Sequence, residues 1–142
     1  MSTPKNSSRR GFLELLRAAA LVAVVIGAVG SVGLMMSVGH RNPSRLLLAL
    51  FLIWDVSPFV GLVLAVMISK RWSVITRATL YGLMLIVTLG SLALYGDVVL
   101  RPRPQPAARF LVVPLGSWLL MTIVIPIAAL VSGRLSRRDA DA

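Results

Sequence analysis

The chain has 142 residues, of which 57% are hydrophobic and 14% are charged, and its mean hydropathy is +0.86. Soluble domains have about 45–50% apolar and about 25% charged residues, so this composition indicates a membrane protein. The absence of cysteine excludes disulfides, thiolate metal sites and thiol nucleophiles, and the single histidine, His40, excludes a bis-histidine haem within the chain.

The first 17 residues form a basic head. Within it, Ser8–Leu13 (Ser-Arg-Arg-Gly-Phe-Leu) resembles the twin-arginine export signal. The apolar stretch that follows, 18–38, is longer than the about 7–15 residues of a signal's apolar region, and no Ala-x-Ala cleavage site follows it. We therefore interpret the head as a cytoplasmic flank and expect the first helix to stay attached.

Four apolar stretches are each long enough to cross the hydrocarbon core, which takes about 20 helical residues. They are 18–38, 46–69, 78–98 and 110–132. The connections between them are short, and residues 133–142 form a short tail that we expect to be cytoplasmic and disordered. The sequence therefore predicts an all-α, polytopic membrane protein with four transmembrane helices and no soluble domain.

Small residues recur every four positions along the first span and predict a helix-packing face. They are Ala19, Ala23, Gly27 and Ser31. Small residues at this spacing let helix backbones approach closely in lipid. The sequence does not distinguish a contact inside the bundle from a contact with another chain.

Asp55 is an acidic residue that lies deep inside the second predicted span, 46–69. A carboxylate near the bilayer centre costs about 2.5–3.5 kcal/mol, so such a residue is a functional-site candidate. Depth counted from the span ends places small and hydroxyl residues of the other three helices at its level. This predicts an intramembrane polar layer in which Asp55, in its neutral form, has four candidate partners: Ser31, Ser91, Ser117 and Trp118.

Two interpretations of Asp55 remain open at this point. One is a polar clamp that fixes the helix register, and the other is a proton or cation site. Tyr95 and Asp97 are predicted to be interfacial anchors at the end of the third span, with Asp97 able to pair with Arg101, Arg103 or Arg109. The prolines of 101–106 predict a stiff, extended connection.

Prolines inside the second and fourth spans, at 58 and 126, are predicted to kink those helices, whereas Pro114 lies one turn into the fourth span. Spans two to four carry three short motifs: Trp-x-x-x-Pro-aromatic, Tyr-x-Asp and Phe-x-x-Val-Pro-Leu. The residues are Trp54, Pro58 and Phe59, then Tyr95 and Asp97, then Phe110, Val113, Pro114 and Leu115.

With these motifs, residues 48–135 resemble a group of small, uncharacterised bacterial inner-membrane proteins, and the first helix is unmatched. The resemblance implies a four-helix inner-membrane fold and no activity. Asp55 replaces the apolar or small residue expected in that group, so the resemblance implies no ion site.

The sequence favours a non-enzymatic integral inner-membrane protein of a bacterium that acts by packing with membrane partners, as an accessory or immunity-type protein. The alternative is a small oligomeric channel or a proton- or cation-coupled transporter centred on Asp55. No set of convergent catalytic groups appears, and no metal or other cofactor is predicted. The expected partners are anionic lipid headgroups and a membrane protein or a second copy of the chain. Nucleic acid is not expected, because the net charge of +10 lies mainly beside apolar runs.

The distribution of basic residues predicts that both termini are cytoplasmic, because positive charge favours the cytoplasmic side. The head, the second connection and the tail contain Lys5, Arg9, Arg10, Arg17, Lys70, Arg71, Arg77, Arg134, Arg137 and Arg138. The other two connections contain Arg41, Arg45, Arg101, Arg103 and Arg109. We expect an alkaline phosphatase fusion to be inactive at Ala142 and active near Gln105; the reverse pattern would contradict the prediction.

Overall fold

The computed structural model describes residues 4–41, 43–101 and 106–142. These residues form four α-helices, α1 (Pro4–Gly39), α2 (Arg45–Ile68), α3 (Val74–Leu100) and α4 (Pro106–Asp141), with a 3-10 turn at Ser69–Arg71. Each α-helix contains a stretch that is long and apolar enough to cross a membrane. The prediction of an all-α, multi-pass membrane protein is therefore confirmed.

The first and last helices extend well beyond the predicted spans. Each has 36 residues, which corresponds to about 54 Å at 1.5 Å per residue, against a hydrocarbon core of about 30 Å. The expectation of a disordered tail is wrong, because α4 continues to Asp141. The tail contains no proline and only one glycine, Gly133, so little stops a helix that has already been nucleated.

Helices α2 and α3 each begin after a serine that caps the helix N-terminus. The side chain of Ser44 accepts a hydrogen bond from the backbone N–H of Leu47 at 3.3 Å, and Ser73 accepts one from Thr76 at 3.2 Å. A serine at this position satisfies one of the free N–H groups of the first turn. The caps explain why short connections between the spans still give well-defined helix starts.

The helices pack in a square in which chain neighbours are not always spatial neighbours. Helix α1 packs against α2 and α3, and α4 also packs against α2 and α3, whereas α2 and α3 pack only sparsely against each other, and α1 and α4 still less. Sequential helices α2 and α3 therefore lie across one diagonal of the bundle. Side chains that join them must pass through its centre.

The apolar interior is divided into two clusters. The near cluster lies towards the end where α1 begins and α4 ends, and the far cluster lies towards the opposite end. The near cluster contains Ala20, Val24, Phe59, Leu62, Val66, Leu80, Tyr81, Leu83, Met84, Val87 and Met121. The far cluster contains Met35, Tyr95, Val98, Phe110 and Val113. On every helix, one or more buried polar residues lie between the parts that contribute to the two clusters.

The small residues of α1 pack inside the bundle. Gly27 and Ser31 are buried, Ala23 is half-buried and Ala19 is exposed, so the predicted face is only partly correct. A step of four residues turns about 40° too far for a helix of 3.6 residues per turn, and the line drifts outward at Ala19. The buried face continues instead through Ala20 and Val24, which are 0% and 2% exposed.

Gly27 is a point at which α1 comes close to two helices at once. A Cβ atom at this position would lie 2.8 Å from Thr88 Cγ2 on α3 and 3.0 Å from Phe59 Cε1 on α2. Real Cβ atoms essentially never come as close as 2.8 Å, so a methyl group would push the helices apart. The close approach of α1 to its two neighbours therefore requires glycine here.

We expect Gly27→Ala to destabilise the bundle by about 1–3 kcal/mol, the usual cost of overpacking a filled core. The measurement is thermal unfolding in detergent. Gly33→Ala is the matched control, because it lies on the same helix and a Cβ atom there would meet nothing within 4 Å. An equal loss of stability in both variants would show that close packing at Gly27 is not the cause.

Candidate functional site

Asp55 lies in the centre of the bundle and is bound across its diagonal. Its side chain on α2 is 1% exposed, and Tyr95 on α3 is 0% exposed. The Tyr95 hydroxyl donates a hydrogen bond to Asp55 Oδ1. This bond joins two helices that pack only sparsely against each other, so it adds a direct contact across one diagonal of the bundle.

Several buried polar oxygens of the bundle have no hydrogen-bond partner within the described residues, including one of Asp55. Within the described residues, Asp55 Oδ2 has no hydrogen-bond partner, and the same is true of the hydroxyl oxygens of Ser31, Thr88 and Ser91. All four side chains are at most 2% exposed. Thr88, Ser91 and Tyr95 follow one another at helical spacing on the buried face of α3.

We call Ser31, Asp55, Thr88, Ser91 and Tyr95 the polar layer. Along each contributing helix its members lie between residues of the far cluster and residues of the near cluster, except Tyr95, which belongs to the far cluster and joins the layer through its hydroxyl. On α1, for example, Ser31 falls between Val24 and Met35. Three residues of the predicted polar set, Ser31, Asp55 and Ser91, belong to this layer.

The other two predicted partners of Asp55 bind elsewhere. Ser117 is 5% exposed, but its hydroxyl donates to the Val113 carbonyl of its own helix at 2.8 Å. The Trp118 side chain is 37% exposed, and its indole Nε1 donates to Ser57 Oγ at 3.0 Å. The Trp118 ring lies beside Gly61 on α2, where a Cβ atom would come within 3.1 Å of it.

The bond between Trp118 and Ser57 is one of two linked hydrogen bonds that compensate for the helical bond lost at Pro58. Pro58 has no N–H to donate to the Trp54 carbonyl four residues earlier, so a helical hydrogen bond is lost there. The Ser57 hydroxyl donates to that carbonyl at 2.8 Å and accepts from Trp118 at 3.0 Å. The sequence showed the proline, and the structure shows that α4 helps to satisfy the backbone it disrupts.

Tyr95 is the residue that the sequence interpretation misplaced. It was predicted to be an interfacial anchor, yet it is fully buried and its ring packs on Phe110 with a centroid separation of 4.7 Å. Helical side chains point back towards the N-terminus, so a long tyrosine reaches about one turn below its own Cα. Its spacing of four residues from Ser91, on the same face, was the signal that could have revealed it.

One of the predicted ion pairs of Asp97, the pair with Arg101, is present at the end of α3. Arg101 Nε lies 3.7 Å from Asp97 Oδ1, in an exposed pair that contributes little to stability. The other proposed partners, Arg103 and the Arg109 side chain, lie outside the described residues, as do residues 102–105 of the predicted stiff connection.

His40, just after the end of α1, donates a hydrogen bond from Nδ1 to the Ser37 carbonyl at 2.6 Å.

No family model, no curated protein and no solved structure matches the chain. The described residues contain no group of three His, Asp or Glu side chains that could hold a metal ion. A buried carboxyl that accepts a hydrogen bond from a tyrosine hydroxyl can hold a proton or contribute a ligand to a monovalent cation.

We expect the Asp55–Tyr95 bond to stabilise the bundle by about 0.6–2 kcal/mol, the range for interhelical polar contacts in membranes. Asp55→Leu and Tyr95→Phe should each lose that amount in detergent unfolding, whereas Asp55→Asn keeps an acceptor and should stay close to wild type. In the Asp55→Leu background, Tyr95→Phe should cost almost nothing further, because the two residues share one interaction.

Tyr81→Phe is the matched control for Tyr95→Phe. Tyr81 is 3% exposed, and its hydroxyl makes no hydrogen bond within the described residues, so its removal should leave stability almost unchanged. Fully additive losses in the Asp55→Leu/Tyr95→Phe double variant would contradict the shared bond.

Proposed function

We propose that this chain is a non-enzymatic integral membrane protein that acts by packing with membrane-protein partners, with Asp55 serving as a structural clamp. The observation that carries the proposal is the enclosure of the polar layer. It is bounded by the near cluster on one side and by the far cluster on the other. An interior filled in this way supports a rigid bundle, which leaves the outer surface for interactions with other molecules.

The outer surface is extensive and apolar. Large hydrophobic side chains remain exposed on all four helices, among them Val29, Ile53, Ile86 and Leu119, which are 61–68% exposed. Lipid covers such a surface in a membrane, and a partner helix can replace lipid where packing is better. The small residues of α1 do not support the proposal, because the bundle itself uses Gly27 and Ser31.

The proposal includes a location and an orientation. The chain is placed in the inner membrane of a bacterium, with both termini in the cytoplasm. The excess of basic residues on the side of the termini supports this orientation, and the resemblance of residues 48–135 to small bacterial inner-membrane proteins supports the location. Arg9, Arg10 and Arg17 then lie where they attract anionic headgroups.

A second candidate function is proton or monovalent cation binding by an oligomeric channel or transporter. The observation that favours it is the set of buried oxygens, Asp55 Oδ2 and the hydroxyls of Ser31, Thr88 and Ser91, that have no hydrogen-bond partner in the part of the chain that the structure describes. Oxygen atoms of carboxyl and hydroxyl groups are suitable ligands for such an ion, and an intramembrane carboxyl is a common feature of ion pathways. The two apolar clusters oppose it, because an ion would have to cross both of them.

We expect no proton, Na⁺ or K⁺ flux above that of empty vesicles when the purified chain is reconstituted into proteoliposomes. The matched variant is Asp55→Asn, which keeps the size of the side chain but cannot release a proton. Under the clamp hypothesis, neither wild type nor Asp55→Asn produces ion flux. Purification from native membranes in mild detergent should retain a membrane protein at fixed stoichiometry with wild type and with Asp55→Asn.

Flux that is present in wild type and lost in a folded Asp55→Asn variant would overturn the clamp and support the ion-site alternative. Such flux from a homo-oligomer that has no other partner would support an oligomeric channel or transporter. Size-exclusion chromatography and helical content by circular dichroism show whether each variant is folded.

A further inference from the structure

A second polar site lies at the end of the bundle where the chain termini are, away from the polar layer. It is a crevice of about 110 Å³ between α1, the 3-10 turn and α3. Three basic residues line it: Arg17 from α1, Lys70 from the turn and Arg77 from the first turns of α3. Glu14, Ser69 and Tyr81 complete its polar lining.

Within the described residues, the basic side chains of this crevice form no ion pair. The ion pair that the structure shows in its described residues is the one between Asp97 and Arg101, at the other end of α3. Glu14 lines the same crevice, yet no bond joins it to Arg17, Lys70 or Arg77 within the described residues. Three cations against one carboxylate leave the crevice with a net positive charge.

Two polar groups of the crevice have no hydrogen-bond partner within the described residues. Arg77 Nε is inaccessible to solvent, and leaving such a donor unpaired costs about 1–3 kcal/mol, so it favours a ligand that accepts hydrogen bonds. Tyr81, one turn further along α3, is 3% exposed and lines the crevice. Its hydroxyl keeps access to solvent, so it can donate to the same ligand without a cost when the crevice is empty.

The local helix geometry points to the same ligand chemistry. Arg77 and Tyr81 are separated by one turn near the N-terminus of α3, where the helix dipole is positive and favours an anion. Guanidinium groups match the oxygens of phosphate geometrically and bind them with charge-assisted hydrogen bonds. The volume suits one phosphate group and is too small for a nucleotide.

We propose that this crevice binds a single phosphate group through Arg17, Lys70, Arg77 and Tyr81. Basic pockets between transmembrane helices at the cytoplasmic side are suited to phospholipid headgroups. The same donors accept a free phosphate ion, so the chemistry is shared by both sources. The site is independent of whether Asp55 is a clamp or an ion site.

The test measures lipid retention by native mass spectrometry of the full chain in a non-ionic detergent. Phosphatidylglycerol is compared with diacylglycerol, which has the same tails but no phosphate. We expect phosphatidylglycerol to be retained preferentially by wild type and its affinity to fall about ten-fold or more in Arg77→Gln, the loss of a hydrogen bond to a charged group. Lys70→Gln changes an exposed residue and gives a second variant with little risk to folding.

Arg71→Gln is the matched control. It removes the same charge from the position next to Lys70, but Arg71 is exposed and does not line the crevice. Its effect should stay below about two-fold at 0.15 M salt, where charges that are not in contact are screened. An equal loss of affinity for phosphatidylglycerol in Arg71→Gln and Lys70→Gln would show that general surface charge causes the binding, and would overturn the proposal.

Inorganic phosphate distinguishes the two sources. Displacement of phosphatidylglycerol by millimolar phosphate, with ³¹P line broadening that Arg77→Gln abolishes, would show that the site accepts free phosphate. Phosphatidylglycerol that is retained in the presence of phosphate would assign the site to a lipid headgroup. No preference for phosphatidylglycerol over diacylglycerol, together with no phosphate binding, would refute the site.

Discussion

The structure depends on one constraint, which is that a polar group in hydrocarbon finds no water and must be satisfied by the protein. The hydrogen bond from Tyr95 to Asp55 meets this constraint at the centre of the bundle. Because α2 and α3 pack only sparsely against each other, the bond adds a direct contact between them. The positions of α1 and α4 then follow, since each fills the space between the two helices that the bond holds together.

The same constraint explains features that look unrelated in the sequence. Pro58 leaves the Trp54 carbonyl without its helical donor, and Ser57 replaces that donor while accepting a bond from Trp118. Gly27 removes a side chain where α1 meets Thr88 and Phe59, so that backbones can approach without excluding one another. In both cases a residue that weakens an isolated helix is compatible with the bundle because a neighbouring helix compensates for it.

The sequence predicted the helices well and the polar contacts poorly, for physical reasons. Apolar length gives the spans directly, because the bilayer sets it, and depth counting placed Ser31, Asp55 and Ser91 between the two apolar clusters. Rotation about the helix axis is not given by depth, so Trp118 was assigned to Asp55 although it faces Ser57. Tyr95 was missed because its Cα is near the rim, whereas its hydroxyl reaches a turn lower. The square arrangement of the helices could not be derived from chain order at all.

The separation of 40 residues between Asp55 and Tyr95 has a consequence for how the chain enters the membrane. At about 5–20 residues per second, the ribosome needs about 2–8 seconds to synthesise the tyrosine after the aspartate. During that interval α2 carries an unpaired carboxyl whose transfer into lipid is unfavourable by about 2.5–3.5 kcal/mol. Helix α2 therefore gains from waiting beside the insertion machinery until α3 arrives, so that the two helices enter the bilayer together as a pre-formed pair.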